Sequence, residues 1–354
     1  MKLKIWRVSC RDMHERIFHF DIIRTVACLM VIIMHAPMPS DRIIGVFTWG
    51  ITYLTMPCIG LFFALSGALL LPVKNTPLDS VNFVKKRGGR FILPVLLWSL
   101  IYLFVNGTFT AGDINMLIKS ILSLPFYRQE GVLWFMYVLI GLYIIAPVIS
   151  PWLSQVDKKT LKFYLFIWGI TLLYPFFKPW LQLEESPYGI LYYSSGFLGY
   201  FILGFYLRRF GIYLRFLTSI FLLCIVILIP VVYKLFIEQY GLDFGDIFWY
   251  LSLDCPILVI LWWNILKYLA DWLERFSCIK HFCVMFSNLS FGMYLCHILI
   301  QRYWLWHVSY ILNIQNYILQ TFIIIILTIL FSYALSYLLS KLPLGNQIIC
   351  YKNK

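Results

Sequence analysis

Long apolar stretches alternate with short polar ones along nearly the whole chain. Each apolar stretch is about 20 residues long, which suits a membrane-spanning α-helix, whereas a membrane β-strand needs only about 9–11 residues. The pattern predicts an all-α polytopic membrane protein with about ten transmembrane helices. A polar, amphipathic segment at 113–127 is expected to lie at the membrane surface. The predicted spans are 17–36, 44–71, 91–109, 131–148, 160–178, 189–207, 212–236, 245–267, 284–306 and 316–340.

Three ionisable side chains interrupt the first apolar stretch: Asp21, Arg24 and His35. On a helix they fall within about 40° of one line, with Arg24 and His35 roughly 16 Å apart along the axis. Charged groups inside a bilayer are costly and usually face a protein interior or a water-filled cavity. The stripe therefore predicts a functional cavity beside this helix. A purely structural ion pair between Asp21 and Arg24 is the alternative for those two residues.

A second polar stripe lies on the ninth predicted helix. Ser290, Tyr294, His297 and Gln301 follow the spacing i, i+4, i+7, i+11 and share one helix face. The stripe predicts cavity-lining side chains, although a packed, hydrogen-bonded His297 is the alternative. Asp254, in the eighth predicted helix, could orient an imidazole, but the sequence does not place it beside either histidine.

The composition agrees with a membrane protein, being 61% hydrophobic and 13% charged, against about 45–50% and 25% in soluble domains. The net charge of +13 does not indicate a nucleic-acid partner, because the basic residues form short clusters beside the apolar stretches. Their bias predicts that both termini are cytoplasmic, with a basic leader at 1–16, a membrane domain at 17–340 and a tail at 341–354. In this register the basic residues on the outer side are Arg42, Lys119, Arg128, Lys178, Lys234 and Arg302.

A basic cluster precedes the third predicted helix and includes Lys85, Lys86, Arg87 and Arg90. Guanidinium groups match the geometry of phosphate, so the cluster can bind a phosphorylated cofactor. Ordinary cytoplasmic anchoring by positive charge is the alternative. No metal is expected, because the small group formed by Cys278, His281 and Cys283 has no evident fourth ligand.

Two side chains of the polar stripe on the first helix could take part in chemistry. A neutral imidazole at His35 can take a proton from a hydroxyl as that hydroxyl attacks a carbonyl. Arg24 always keeps its charge, so it can hold an anion or a carbonyl oxygen but cannot act as a base.

Five segments, in this order, resemble the acyltransferase-3 family of integral membrane acyltransferases. The first helix carries the family signature of an arginine and a histidine separated by ten residues, here Arg24 and His35. The resemblance covers about 17–340. The other four segments are FFALSG (Phe62–Gly67), the pair Arg87 and Arg90 before LPVLLW, Leu133–Val148, and SFGMYLCH (Ser290–His297).

The resemblance implies a ten-helix domain in the bacterial inner membrane that takes an acyl group, often acetyl, from cytoplasmic acyl-CoA. The acceptor would be a hydroxyl of a cell-envelope glycan or lipid-linked saccharide. His35 would be the catalytic base, and Arg24, Arg87, Arg90 and Lys86 would contact the donor. Transfer by the membrane domain alone is also implied, without the extracytoplasmic esterase-like domain that some relatives carry, unless a partner protein supplies the second step. The predicted substrate cavity comprises Asp21, Ser66, Asp254, Ser290, Tyr294 and His297, with Tyr294 or Ser66 as candidate oxyanion donors.

Two other functions stay open at this point. Multi-span proteins with intramembrane Arg, Asp and His are often transporters, so a flippase for a sugar or lipid-linked solute is the main alternative. A catalytically silent sensor or scaffold is a third. The sequence does not reveal the acyl group, the modified hydroxyl, an acyl-enzyme step or whether the protein is a homo-oligomer.

Overall fold

The computed structural model describes residues 16–38, 45–73, 77–106, 114–124, 126–128, 131–183, 194–236, 247–343 and 345–350. This part of the chain is helical and contains no strand. In chain order, the helices are α1 (Phe18–His35), α2 (Gly45–Thr55), α3 (Pro57–Leu70), α4 (Pro77–Arg87), α5 (Gly89–Val105), α6 (Ile114–Ser123), α7 (Trp134–Gln155), α8 (Lys158–Thr171), α9 (Tyr174–Leu181), α10 (Leu198–Arg209), α11 (Phe216–Phe236), α12 (Asp254–Leu273), α13 (Ser277–Tyr303), α14 (Ser309–Leu312), α15 (Tyr317–Lys341) and α16 (Gly345–Ile348).

Nine helical segments within the described residues are long and apolar enough to cross a membrane. They confirm the prediction of an all-α polytopic membrane protein. The span predicted at 189–207 is not among these nine. Its described part contains the start of α10, a helix of 12 residues, and residues 184–193 lie outside the described ranges. The leader at 1–16 also lies outside them, apart from Arg16. The cytoplasmic location of both termini stays a prediction.

The basic stretch before the third span is helical, whereas the sequence pattern suggested a link at 72–90. Helix α4 covers Pro77–Arg87 and leads through Gly88 into α5. Lys and Arg are good helix formers, and a proline is well tolerated in the first turn of a helix. The cluster that includes Arg87 and Arg90 therefore occupies a helix junction rather than a loop.

Helix α1 lies at the centre of the helix packing. It contacts α2, α3, α12, α13 and α15, and two thirds of its apolar window is buried inside the protein. By contrast, only 11% of the corresponding window of α11 is buried. A helix that is apolar all round and largely exposed suits contact with lipid, so α11 belongs to the outer layer and α1 to the core.

Helices α3 and α10 pack backbone to backbone. A Cβ on Gly67 would lie 1.8 Å from the carbonyl oxygen of Phe201, and one on Gly204 would lie 1.7 Å from that of Ala64. Small residues allow such close approach between membrane helices, where dispersion contacts replace the hydrophobic effect. The glycine of the FFALSG segment is therefore a packing residue, which fixes α3 and its neighbouring Ser66 within the bundle.

Candidate active site

Two histidines from different helices meet in the core. The rings of His35 on α1 and His297 on α13 contact edge to face, with their centroids 5.3 Å apart. His297 is completely buried, and His35 is half-buried. The contact agrees with the predicted inward orientation of both polar stripes.

The same hydrogen-bond pattern fixes the tautomer of each imidazole. His35 Nδ1 lies 2.8 Å from the Val31 carbonyl oxygen, and His297 Nδ1 lies 2.5 Å from that of Tyr294. A carbonyl oxygen only accepts hydrogen bonds, so each neutral ring carries its proton on Nδ1 and a lone pair on Nε2. The Nε2 atom of His297 is buried with no hydrogen-bond partner in the described part of the chain. The pair thus presents two proton acceptors in an apolar setting.

Two further polar side chains follow His297 on α13, Gln301 and Arg302. Gln301 is completely buried, and its amide nitrogen donates a hydrogen bond of 2.8 Å to the Ile32 carbonyl on α1. Its Oε1 has no partner among the described residues. Arg302 is half-buried and lies within electrostatic range of both imidazoles. The charge of this cation therefore acts on both proton acceptors.

Asp21 and Arg24 do not form the structural ion pair that was the alternative for these two residues. Asp21 instead forms a bidentate pair with Arg16, in which both N–O distances are 2.7 Å. Its carboxylate also accepts a 2.7 Å hydrogen bond from the Ser287 hydroxyl. Arg24 reaches only that hydroxyl, at 3.5 Å, and forms no salt bridge within the described residues. Its guanidinium therefore keeps donors for another anion or for a carbonyl oxygen.

The basic cluster lines an open cavity of about 340 Å³ at the junction of α4 and α5. Lys86, Arg87 and Arg90 contribute to its wall. Deeper in the bundle, buried Tyr143 on α7 lies within electrostatic range of Arg24 and Arg87. Arg24 is likewise within range of Arg90. Three of the cations predicted to contact the donor, Arg24 on α1, Arg87 on α4 and Arg90 on α5, are therefore linked electrostatically, directly or through Tyr143.

Two other residues of the predicted substrate cavity, Ser290 and Tyr294, already use their hydroxyl groups in hydrogen bonds within the protein. Ser290 donates to the Ser287 carbonyl of its own helix at 2.8 Å. Tyr294 donates its hydroxyl proton to the Val132 carbonyl, so it is not a free oxyanion donor. Asp254 Oδ1 accepts a hydrogen bond from the Ser252 hydroxyl, and its Oδ2 is buried with no hydrogen-bond partner among the described residues; neither oxygen bonds to an imidazole.

A family model described as an acyltransferase domain matches residues 17–337. The chain belongs to the acyltransferase-3 family. The match confirms the resemblance and covers nearly the whole of the predicted membrane domain, so the protein is a multi-pass membrane acyltransferase. No curated protein and no solved structure matches the chain.

Sequence reasoning missed three residues near this acyltransferase site: Arg16, Tyr143 and Arg302. The position of Tyr143 inside the matching segment Leu133–Val148 was the one signal that pointed to it. Arg302 follows His297 by five residues, which at about 100° each places it far from the polar stripe. Charge alone had assigned it to the outer segments.

The acyltransferase shows no cluster of three or more metal-binding side chains within the residues that the structure describes. Cys278 is exposed and Cys283 is buried. The absence of a metal from the reaction stays a prediction.

Proposed function

We propose that this acyltransferase moves an acyl group, most simply acetyl, from cytoplasmic acyl-CoA to a hydroxyl of an extracytoplasmic or lipid-linked polysaccharide at the bacterial inner membrane. One observation carries the proposal. His35 Nδ1 hydrogen-bonds to the Val31 carbonyl of its own helix, so the lone pair of Nε2 can accept a proton. Arg24 lies on the same face of α1 and forms no ion pair within the described residues.

The donor would enter from the basic cluster. Its phosphates would contact Lys86, Arg87 and Arg90, which line one cavity, because Arg and Lys form strong charge-assisted hydrogen bonds with phosphate. The pantetheine arm would run past Tyr143 and Arg24 toward His35. Since Arg24 and His35 are roughly 16 Å apart along α1, an extended arm suits the separation between the cluster and the base.

The chemical step is a direct transfer. The acceptor hydroxyl oxygen attacks the thioester carbonyl carbon while His35 Nε2 takes the hydroxyl proton. The tetrahedral intermediate carries a negative charge, which Arg302, within electrostatic range of His35, would stabilise as a fixed cation. Collapse breaks the C–S bond, and the departing CoA thiolate recovers the proton from the imidazolium. Free thiol and an oxygen ester are the products.

The base role of His35 predicts a specific loss. His35→Asn retains an N–H donor for the Val31 carbonyl but provides no proton acceptor at the Nε2 position. We expect the variant to fold normally and to lower acylation of the envelope polysaccharide at least about hundredfold, as measured by mass spectrometry. The matched control is His307→Asn, because His307 is exposed; it should acylate like the wild type. Wild-type acylation by His35→Asn would remove His35 from this role.

A further inference from the structure

The residues after α15 fold back onto the basic cluster. We call the segment Gly345–Cys350 the hook; it contains α16, which packs against α5 and α15. A Cβ on Gly345 would lie 1.6 Å from the Leu339 carbonyl oxygen, so only glycine fits this tight turn. Ile349 is completely buried. The Ile349 side chain packs against Gly292 on α13: a Cβ added to Gly292 would lie 3.0 Å from it. The hook is therefore a packed element.

Arg90 and Cys350 join the hook to α5 by reciprocal hydrogen bonds. The Arg90 guanidinium donates to the Cys350 carbonyl oxygen, and the Cys350 thiol donates to the Arg90 carbonyl oxygen at 3.4 Å. Burial raises the pKa of the Cys350 thiol to about 12, so the thiol stays protonated and serves as a donor rather than as a nucleophile. One of the proposed phosphate-binding arginines is thus oriented by the hook.

The hook also supplies a wall of the cavity. Lys86, Arg87 and Arg90 face Asn346 and Gln347 across a space of about 340 Å³, which is within the range of small-molecule sites. The Oδ1 atom of Asn346 is buried and has no hydrogen-bond partner among the described residues. An unsatisfied buried amide oxygen costs free energy, and a ligand that draws the half-buried Asn346 amide toward the cavity and donates to it would recover that free energy.

We propose that the hook is part of the donor site and that Asn346 and Gln347 hydrogen-bond to the adenine edge of acyl-CoA. The inference rests on the proposed function, since it takes acyl-CoA as the donor. Basic side chains alone bind any phosphate, whereas a carboxamide offers a donor and an acceptor together. That pair matches the N7 acceptor and the N6 amino donor of adenine. The hook therefore adds base selectivity to a site whose affinity comes from charge.

The test is a displacement assay on the purified full chain with CoA bound. The competitors are adenosine 3′,5′-bisphosphate and guanosine 3′,5′-bisphosphate, which carry the same phosphates on different bases. We expect the adenine competitor to displace CoA from the wild type at about tenfold lower concentration. Asn346→Ala combined with Gln347→Ala should reduce this preference to about one, and exposed Gln347→Ala alone should reduce it in part.

The matched control is Asn313→Ala, an exposed asparagine at the other end of α15, which should retain the full preference. Equal displacement by both competitors in the wild type would overturn the inference, as would an unchanged preference in the double variant; either result leaves the proposed function standing. Failure of the wild type to bind CoA would overturn both. If the double variant does not fold, the single variant Gln347→Ala becomes the test. A full preference for the adenine competitor in that variant would overturn the inference.

Discussion

At the residue scale, two arginines a short distance apart on one stretch of chain have different surroundings. Arg16 forms a bidentate pair with Asp21, which is 4% exposed, and it also reaches Asn288 on α13. Among the described residues, the Arg24 side chain has one long hydrogen bond, to Ser287. Removing the partner of a buried carboxylate destabilises a protein, whereas a cation with spare donors is suited to a ligand. Arg16 therefore holds α1 to α13, and Arg24 is free to contact substrate.

The two arginines predict opposite phenotypes. Arg16→Gln should lower the free energy of unfolding by about 1–3 kcal/mol, because it leaves the Asp21 carboxylate short of partners. Its acyl transfer per folded molecule should stay near wild type. Arg24→Gln should unfold like the wild type but lower kcat/KM about ten- to hundredfold through weaker donor binding. Thermal unfolding in detergent and acyl-transfer kinetics measure the two effects; reversed phenotypes would contradict the assignment.

Sequence periodicity was sufficient to predict which side chains face inward, but not which ones pair. It placed Asp21, Arg24 and His35 on one face, and the structure brings that face against α13. Asp21 pairs with Arg16 rather than with Arg24. Arg16 precedes the start of α1, so helical spacing could not predict its position. The hydrogen bond from the Tyr294 hydroxyl to the Val132 carbonyl joins segments that are distant in the chain, so the sequence could not predict it either.

At the element scale, glycines decide how α3 and α10 pack. Gly67 and Gly204 let the two backbones touch, and α3 in turn packs against α1. Hydropathy predicted that both segments are helical and apolar. It could not show that they are neighbours, because residues that far apart in the chain meet only through tertiary packing.

This packing predicts a sharp difference between two glycine substitutions. Gly204→Ala puts a methyl group against the Ala64 carbonyl and should destabilise the protein by about 1–3 kcal/mol or more. Gly141→Ala, in α7, meets nothing within 4 Å and should change stability by no more than about 1 kcal/mol. Thermal unfolding of both variants in detergent is the measurement. Equal stabilities would show that the close approach of α3 and α10 is incorrect.

At the scale of the whole molecule, the orientation in the membrane determines which substrate comes from which side. The charge bias predicts that the basic cluster and the hook lie in the cytoplasm, on the side of the proposed acyl-CoA donor, and that His35 lies toward the outer half. The nine helices confirm a multi-pass protein, whereas the orientation itself is a prediction from charge.

Labelling of two cysteine positions tests the orientation. Cys278 is exposed near the start of α13 and is predicted to be cytoplasmic, whereas exposed Asn313 is predicted to be outside. In intact cells, a membrane-impermeant maleimide should label Asn313→Cys and not Cys278; in inverted vesicles it should label Cys278 and not Asn313→Cys. Mass spectrometry of the labelled peptides assigns the sites. The opposite pattern would invert the topology and place the basic cluster on the wrong side for its donor.

The most direct measurement uses purified protein in liposomes, with labelled acetyl-CoA on the side of the basic cluster and envelope polysaccharide on the other. Wild-type protein should transfer the label to the polysaccharide as an ester, His307→Asn should do the same, and His35→Asn should transfer at least about hundredfold less. An unlabelled polysaccharide with the wild type, or equal labelling by His35→Asn, would contradict acyl transfer through His35.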